Sequence, residues 1–145
     1  ICRSPTADGV FRHRLAADGL DDRVQVDSAG THGWHVGNPP DPRSVSAARA
    51  RGIDISDVRS RKVRPADFTE FDYVLAMDQD NLDDMGPSAA QGTARVHLFL
   101  EFASHMGETD VPDPYYGGDH GFDHVLDLVE AASDGLIAHL RATHF

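Results

Sequence analysis

The chain has 145 residues and a mass of 15.8 kDa, 40% apolar and 26% charged. That fits one globular domain with a sizeable core and excludes a membrane helix, since no run approaches about 18 apolar residues. A single cysteine rules out an intrachain disulfide framework and makes a reducing cytoplasm the default setting. The net charge of −11 argues against nonspecific nucleic-acid binding. Residues 1–64 carry 11 basic and 8 acidic groups and residues 65–145 carry 2 basic and 16 acidic. This leaves room for a basic pocket facing an anion, and equally for plain solubility.

Taken in chain order, Ser4-Pro5 predicts a helix start, with Ser as N-cap and Pro at the first helical position. Val10, Phe11, Leu15 and Ala16 form its apolar stripe, and Gly19 ends it. Val24 and Val26 alternate with polar residues, the pattern of a short strand. Residues 28–42 are rich in Gly and Pro and predict a long functional loop. A helix over 43–51 stops at Gly52, and a short helix follows over 65–70. Tyr73-Val74-Leu75-Ala76-Met77 is a continuous apolar run, the signature of a strand buried on both faces. Asn81 to Met85 predicts one or two helical turns, and Val96 to Leu100 another strand. Residues 111–121 read as a Pro/Gly/Tyr loop. Phe122, Val125, Leu126, Val129, Leu136, Ile137 and Leu140 then share one face of a long last helix, in which Gly135 costs about 1 kcal/mol against Ala. Strands separated by helices imply an α/β fold, a parallel sheet with helices on both faces.

Two segments carry chemistry. Cys2-Arg3-Ser4-Pro5-Thr6 runs a loop into a helix N-terminus, where backbone N–H groups bind anions and the Arg3 guanidinium can grip two oxygens at once. The plain alternative is a capped helix with a surface arginine. Asp113-Pro114-Tyr115-Tyr116-Gly117 joins an acid to two phenols in a stiff loop. An aspartate there can protonate a leaving oxygen if burial or nearby negative charge keeps its proton on, and tyrosine faces suit a flat aromatic substrate. The alternative is a proline-directed turn with two packed tyrosines. His120 and His124 read as polar helix positions rather than metal ligands, and Met77 and Met85 as core. Arg59, Arg61, Lys62 and Arg64 read as a solvated basic run or an anion contact.

Residues 1–7, Ile1-Cys2-Arg3-Ser4-Pro5-Thr6-Ala7, resemble the end of the phosphate loop of the low-molecular-weight protein tyrosine phosphatases, and Asp113 to Gly117 resemble their general-acid loop. Residues 27–31, 34–37, 40–43 and 71–78 match the family in order and spacing. The resemblance implies a three-layer sandwich: a four-stranded parallel sheet, its first strand lacking from this chain, with helices on both faces. It implies a single domain over 1–145, cut at its N-terminus inside the phosphate loop. It also implies hydrolysis of phosphotyrosine or aryl phosphates through a phosphocysteine.

On the same resemblance, Arg3 stabilises the transition state and Asp113 is the general acid and base. Ser4 supports the nucleophilic thiolate, which the family places six residues before Arg3 and so upstream of Ile1. Ile1 and Cys2 contribute to the phosphate cradle, and Trp34, Tyr115 and Tyr116 line the substrate mouth. Cys2 matches a second cysteine that can pair with the nucleophile. Val58 stands where many relatives carry a histidine supporting the loop. No metal or cofactor is implied. The expected partners are a phosphotyrosine protein or small aryl phosphate, with a phosphate-like anion in the loop, no nucleic acid, no membrane, and a cytoplasmic monomer. Two other readings compete. One is a catalytically dead phosphate- or phosphotyrosine-binding module. The other is a thiol-dependent arsenate reductase, which needs further cysteines this chain lacks.

Overall fold

The computed structural model describes residues 3–30, 37, 39–59, 61–114 and 119–145. Helix α1 spans Ser4–Ala17, α2 Pro42–Arg49, α3 Asp67–Glu70, α4 Gln79–Ala89 and α5 Asp119–Thr143. Strands β1, Tyr73–Ala76, and β2, Arg95–Leu98, pair in parallel with Tyr73 opposite Arg95 and Ala76 opposite Leu98. A 3₁₀ segment, Phe99–Met106, follows β2 directly.

The two-residue period of β1 sorts the molecule into layers. Tyr73 and Leu75 pack on the core built from α1, α5 and the 3₁₀ segment, which contains Val10, Leu15, Leu100, Leu126 and Val129. Val74 and Ala76 face the other way, toward Phe68 of α3 and Met85 of α4. Helices therefore cover both faces of a parallel sheet, as the alternation of strands and helices predicts. The long last helix also holds: its seven predicted apolar positions are buried, and it begins three residues before Phe122. Gly135 has a packing reason, because a Cβ there would sit 1.8 Å from the Phe102 carbonyl oxygen. The missing side chain lets the 3₁₀ segment lie directly on α5.

Several expectations are corrected. Ser4 is not the N-cap: Arg3 already has helical angles and its carbonyl accepts from the Ala7 N–H at 2.9 Å, so the helix begins one residue earlier without a side-chain cap. Ala16 is exposed, because only the first two turns of α1 are enclosed on most sides. Helix α4 runs three turns. Asp78 caps it by accepting from the Asn81 N–H at 2.8 Å, and Pro87 lies inside it. The carbonyl deprived of a donor by Pro87 belongs to Asp83, an exposed residue, where a lost helix bond costs least. Strand β2 ends at Leu98, since the chain turns into the 3₁₀ segment there.

Two further corrections share one cause. Val24 and Val26 lie in no strand, although both rest half-buried on the core. Among the described residues this stretch pairs only at its end, through a parallel bridge between Gly30 and Lys62. Tyr73, Val74 and Leu75 are half-buried rather than enclosed on both faces. A cavity of about 1050 Å³ separates β1 from the segment 23–30, so neither has a strand beside it on that side among the described residues.

Candidate functional site

The C-terminal end of β1 gathers three segments distant in sequence. Arg3, at the mouth of α1, donates from Nη1 to the Asp78 carboxylate and to the Val111 carbonyl at 3.0 Å. The Val111 N–H returns to the Met77 carbonyl at 2.7 Å, and the Gln79 N–H donates to Asp110 Oδ1 at 3.1 Å. The chain leading to Asp113 is therefore fastened to the end of β1 and the start of α4. Arg3 clamps it from the other side. Asp113, exposed, lies two residues beyond the Val111 carbonyl that Arg3 holds. Ser4 is half-buried beside Arg3, and both line the end of the cavity nearest Asp78.

Asp78 is the residue that sequence reasoning missed. Burial pushes its carboxyl up, but hydrogen bonds from Arg3 and from the Asn81 N–H, with the charge of Arg3, hold it below the usual carboxylate range. It stays ionised at neutral pH and gives Arg3 a fixed counter-charge. The available signal was a polar residue directly after a buried strand and before a helix, the position of an N-cap and of site residues in α/β sheets.

The structure brings Arg3, Ser4 and the approach to Asp113 together. Ile1, Cys2, Trp34, Tyr115 and Tyr116 lie outside the described residues. Val58 is half-buried against the core, its N–H donating to the Ile55 carbonyl at 3.2 Å.

The basic run does not act as one surface. Arg61 reaches Asp67 at 2.9 Å and Asp27 at 3.0 Å, and Arg64 reaches Asp67 at 3.3 Å. Burial pushes the Asp67 carboxyl up, but these bonds and the Arg64 N–H outweigh it and hold it below its ordinary range. Two of the four cations thus hold the Gly30–Lys62 bridge against α3. His124 pairs with Glu108 at 2.9 Å. The described residues contain no group of three or more His, Cys, Asp or Glu placed to hold a metal, and none of their helices is long and apolar enough to cross a membrane.

A family model described as low molecular weight phosphotyrosine protein phosphatase matches residues 1–144. The low molecular weight phosphotyrosine protein phosphatase of Schizosaccharomyces pombe is 44% identical over 139 residues, 94% of this chain and 88% of its own. A crystal structure of a protein tyrosine phosphatase from Entamoeba histolytica, with Hepes in its active site, superposes with a TM-score of 0.93 at 36% identity, covering 100% of this chain and 93% of that one. YfkJ from Bacillus subtilis superposes with a TM-score of 0.92 at 35% identity, covering 100% and 91%.

Proposed function

The chain belongs to the low molecular weight phosphotyrosine protein phosphatase family, and from that premise we propose that Arg3 and Asp113 carry its hydrolysis of phosphotyrosine. The activity is that of a phosphoric monoester hydrolase. One observation supports the assignment of roles. A single guanidinium, Arg3, ties the α1 mouth to both the end of β1 and the loop that leads to Asp113. Nη1 is committed to Asp78 and Val111, so the fork formed by Nε and Nη2 is the edge we assign to the phosphoryl oxygens.

In this reading a cysteine thiolate six residues before Arg3, in chain preceding Ile1, attacks phosphorus. The S–P bond forms, the aryl O–P bond breaks, and Asp113 gives its proton to the leaving oxygen. Water then attacks the phosphocysteine, Asp113 takes the proton, and the thiolate leaves. Arg3 and the loop amides, including those of Ile1 and Cys2, stabilise charge on the equatorial oxygens in both steps. Ser4 supports the thiolate, and Trp34, Tyr115 and Tyr116 line the mouth for the phenyl ring.

The cavity beside β1 supports a four-stranded sheet. A strand preceding Ile1, seated between β1 and the segment 23–30, would pair both free edges and lead into the phosphate loop at Arg3. The reading includes one catalytic domain, a cytoplasmic monomer, and either a phosphotyrosine protein or a small aryl phosphate as substrate.

Leaving-group dependence tests it, measured on the active full-length protein. Asp113→Asn is expected to lower kcat about 10²- to 10³-fold on phenyl phosphate and much less on p-nitrophenyl phosphate, whose phenolate leaves without a proton. Inorganic phosphate is expected to bind that variant as it binds the parent. Arg3→Lys is expected to damage both turnover and phosphate binding, because an ammonium lacks the planar fork. Undiminished turnover of phenyl phosphate by Asp113→Asn overturns the acid assignment.

A further inference from the structure

At the end of β1 opposite Asp78, one phenolic oxygen holds three side chains. Tyr73 Oη lies 3.1 Å from His139 Nε2, 2.9 Å from His144 Nε2 and 3.1 Å from Arg95 Nη1. Tyr73 opens β1, Arg95 opens β2, and the histidines belong to the end of α5 and the residue after it. Both imidazoles meet the Tyr73 ring edge-on, with centroids 5.9 and 5.8 Å away. His139 also packs on Phe102 at 5.4 Å. The end of α5 is thereby fastened to the sheet, where Leu136, Leu140, His144 and Phe145 line the space beside β1.

The donor count of this cluster is tight. A phenol gives one proton and receives two hydrogen bonds. Arg95 can only donate, so it takes one lone pair. The imidazoles must divide what remains: one donates its Nε2–H to the second lone pair, and the other accepts the phenolic proton. The donating ring can take a further proton on Nδ1 with every bond intact. The accepting ring cannot, because a proton on its Nε2 sets N–H against O–H and places three cations around one oxygen.

The surrounding charges do not relieve this. Arg95 comes from β2, and Arg23 stacks on Phe145 at 4.7 Å. His97 of β2, on the other side of Phe102, is paired with Glu101 of the 3₁₀ segment at 2.8 Å. Arg141 of α5 is paired with Asp18 at 3.6 Å. Among the described residues no carboxylate forms an ion pair with His139 or His144.

We propose that Tyr73, His139 and His144 form a proton-operated latch. With no more than one extra proton on the two imidazoles, the end of α5 is held on the sheet. A second proton releases it from the edge of β1 and β2. The range in which imidazoles ordinarily charge, about pH 5 to 8, makes acidification the trigger.

The test uses the full chain and two variants. His139→Gln/His144→Gln keeps side chains that donate and accept but do not titrate. Tyr73→Phe keeps the ring and removes the shared oxygen. Amide exchange over residues 141–145, corrected for intrinsic rates, is measured at pH 7.5 and 5.5. In the parent the open population is expected to rise about five-fold at the lower pH, the worth of roughly one hydrogen bond. The double variant is expected to show no such rise, and Tyr73→Phe to be open at both pH values. An equal rise in parent and double variant, or a Tyr73→Phe variant no more open than the parent at pH 7.5, overturns the latch.

Discussion

Replacing Asp78 with Asn isolates the charge that holds Arg3. The amide keeps an oxygen able to accept from the Asn81 N–H, so the cap on α4 survives. What is lost is the negative charge opposite the guanidinium. The two side chains are 20% and 19% exposed, so this is not a solvent-screened surface pair worth a few tenths of a kcal/mol. A hydrogen bond to a charged group contributes about 1.5–3 kcal/mol net. Arg3 keeps its bond to the Val111 carbonyl at 3.0 Å, which places the expected loss at about 1–2 kcal/mol. For a chain of this size that is a fall of a few degrees in Tm. An anion docked on Arg3 would supply the missing charge, so inorganic phosphate is expected to raise the Tm of the variant by more than that of the parent. Scanning calorimetry with and without phosphate reads both effects. A variant that melts with the parent, or gains no more from phosphate than the parent does, refutes the role of Asp78 as counter-charge.

Gly135→Ala opposes two effects: a helix-propensity gain of about 1 kcal/mol and a Cβ placed 1.8 Å from the Phe102 carbonyl oxygen. The clash should prevail by about 2 kcal/mol or more in urea unfolding, and an unchanged or stabilised variant would show that the 3₁₀ segment does not rest on α5 there. Asp67 gives a pH test. Its carboxyl is held below its ordinary value by Arg61 and Arg64, so its contribution is complete above the unfolded carboxylate value and is lost as pH falls through the folded one. Asp67→Asn should therefore be less stable than the parent at pH 7, with the gap beginning to narrow once the pH falls below about 4. A gap of constant size from pH 7 down to about pH 2 in urea titrations would contradict this.

Much of the fold was legible because its signals are local. The apolar face of α5 is written in a 3.6-residue period, and all seven positions are buried. The run at 73–77 announced β1, and the motifs around Arg3 and Asp113 announced where to look for chemistry. The rest depended on neighbours. Val24 and Val26 alternate like a strand, but a strand needs a partner, and the cavity lies where one would pair. Tyr73, Val74 and Leu75 are half-buried, since β1 has β2 as its one strand neighbour among the described residues. Gly86-Pro87 reads as a break in any sequence, and α4 passes through it because the affected carbonyl belongs to Asp83, an exposed residue.

The sequence by itself determined the periodicities, the layer order and the residue types that handle an anion, since each is set within a few positions along the chain. Only the tertiary structure decided which distant groups meet. Arg3, Asp78 and Val111 are separated by up to 108 positions and joined by hydrogen bonds. Tyr73 meets two histidines 66 and 71 positions away. Neither meeting has a local signature, because hydrogen bonds between distant side chains depend on how the layers pack and not on the spacing of residues in the chain.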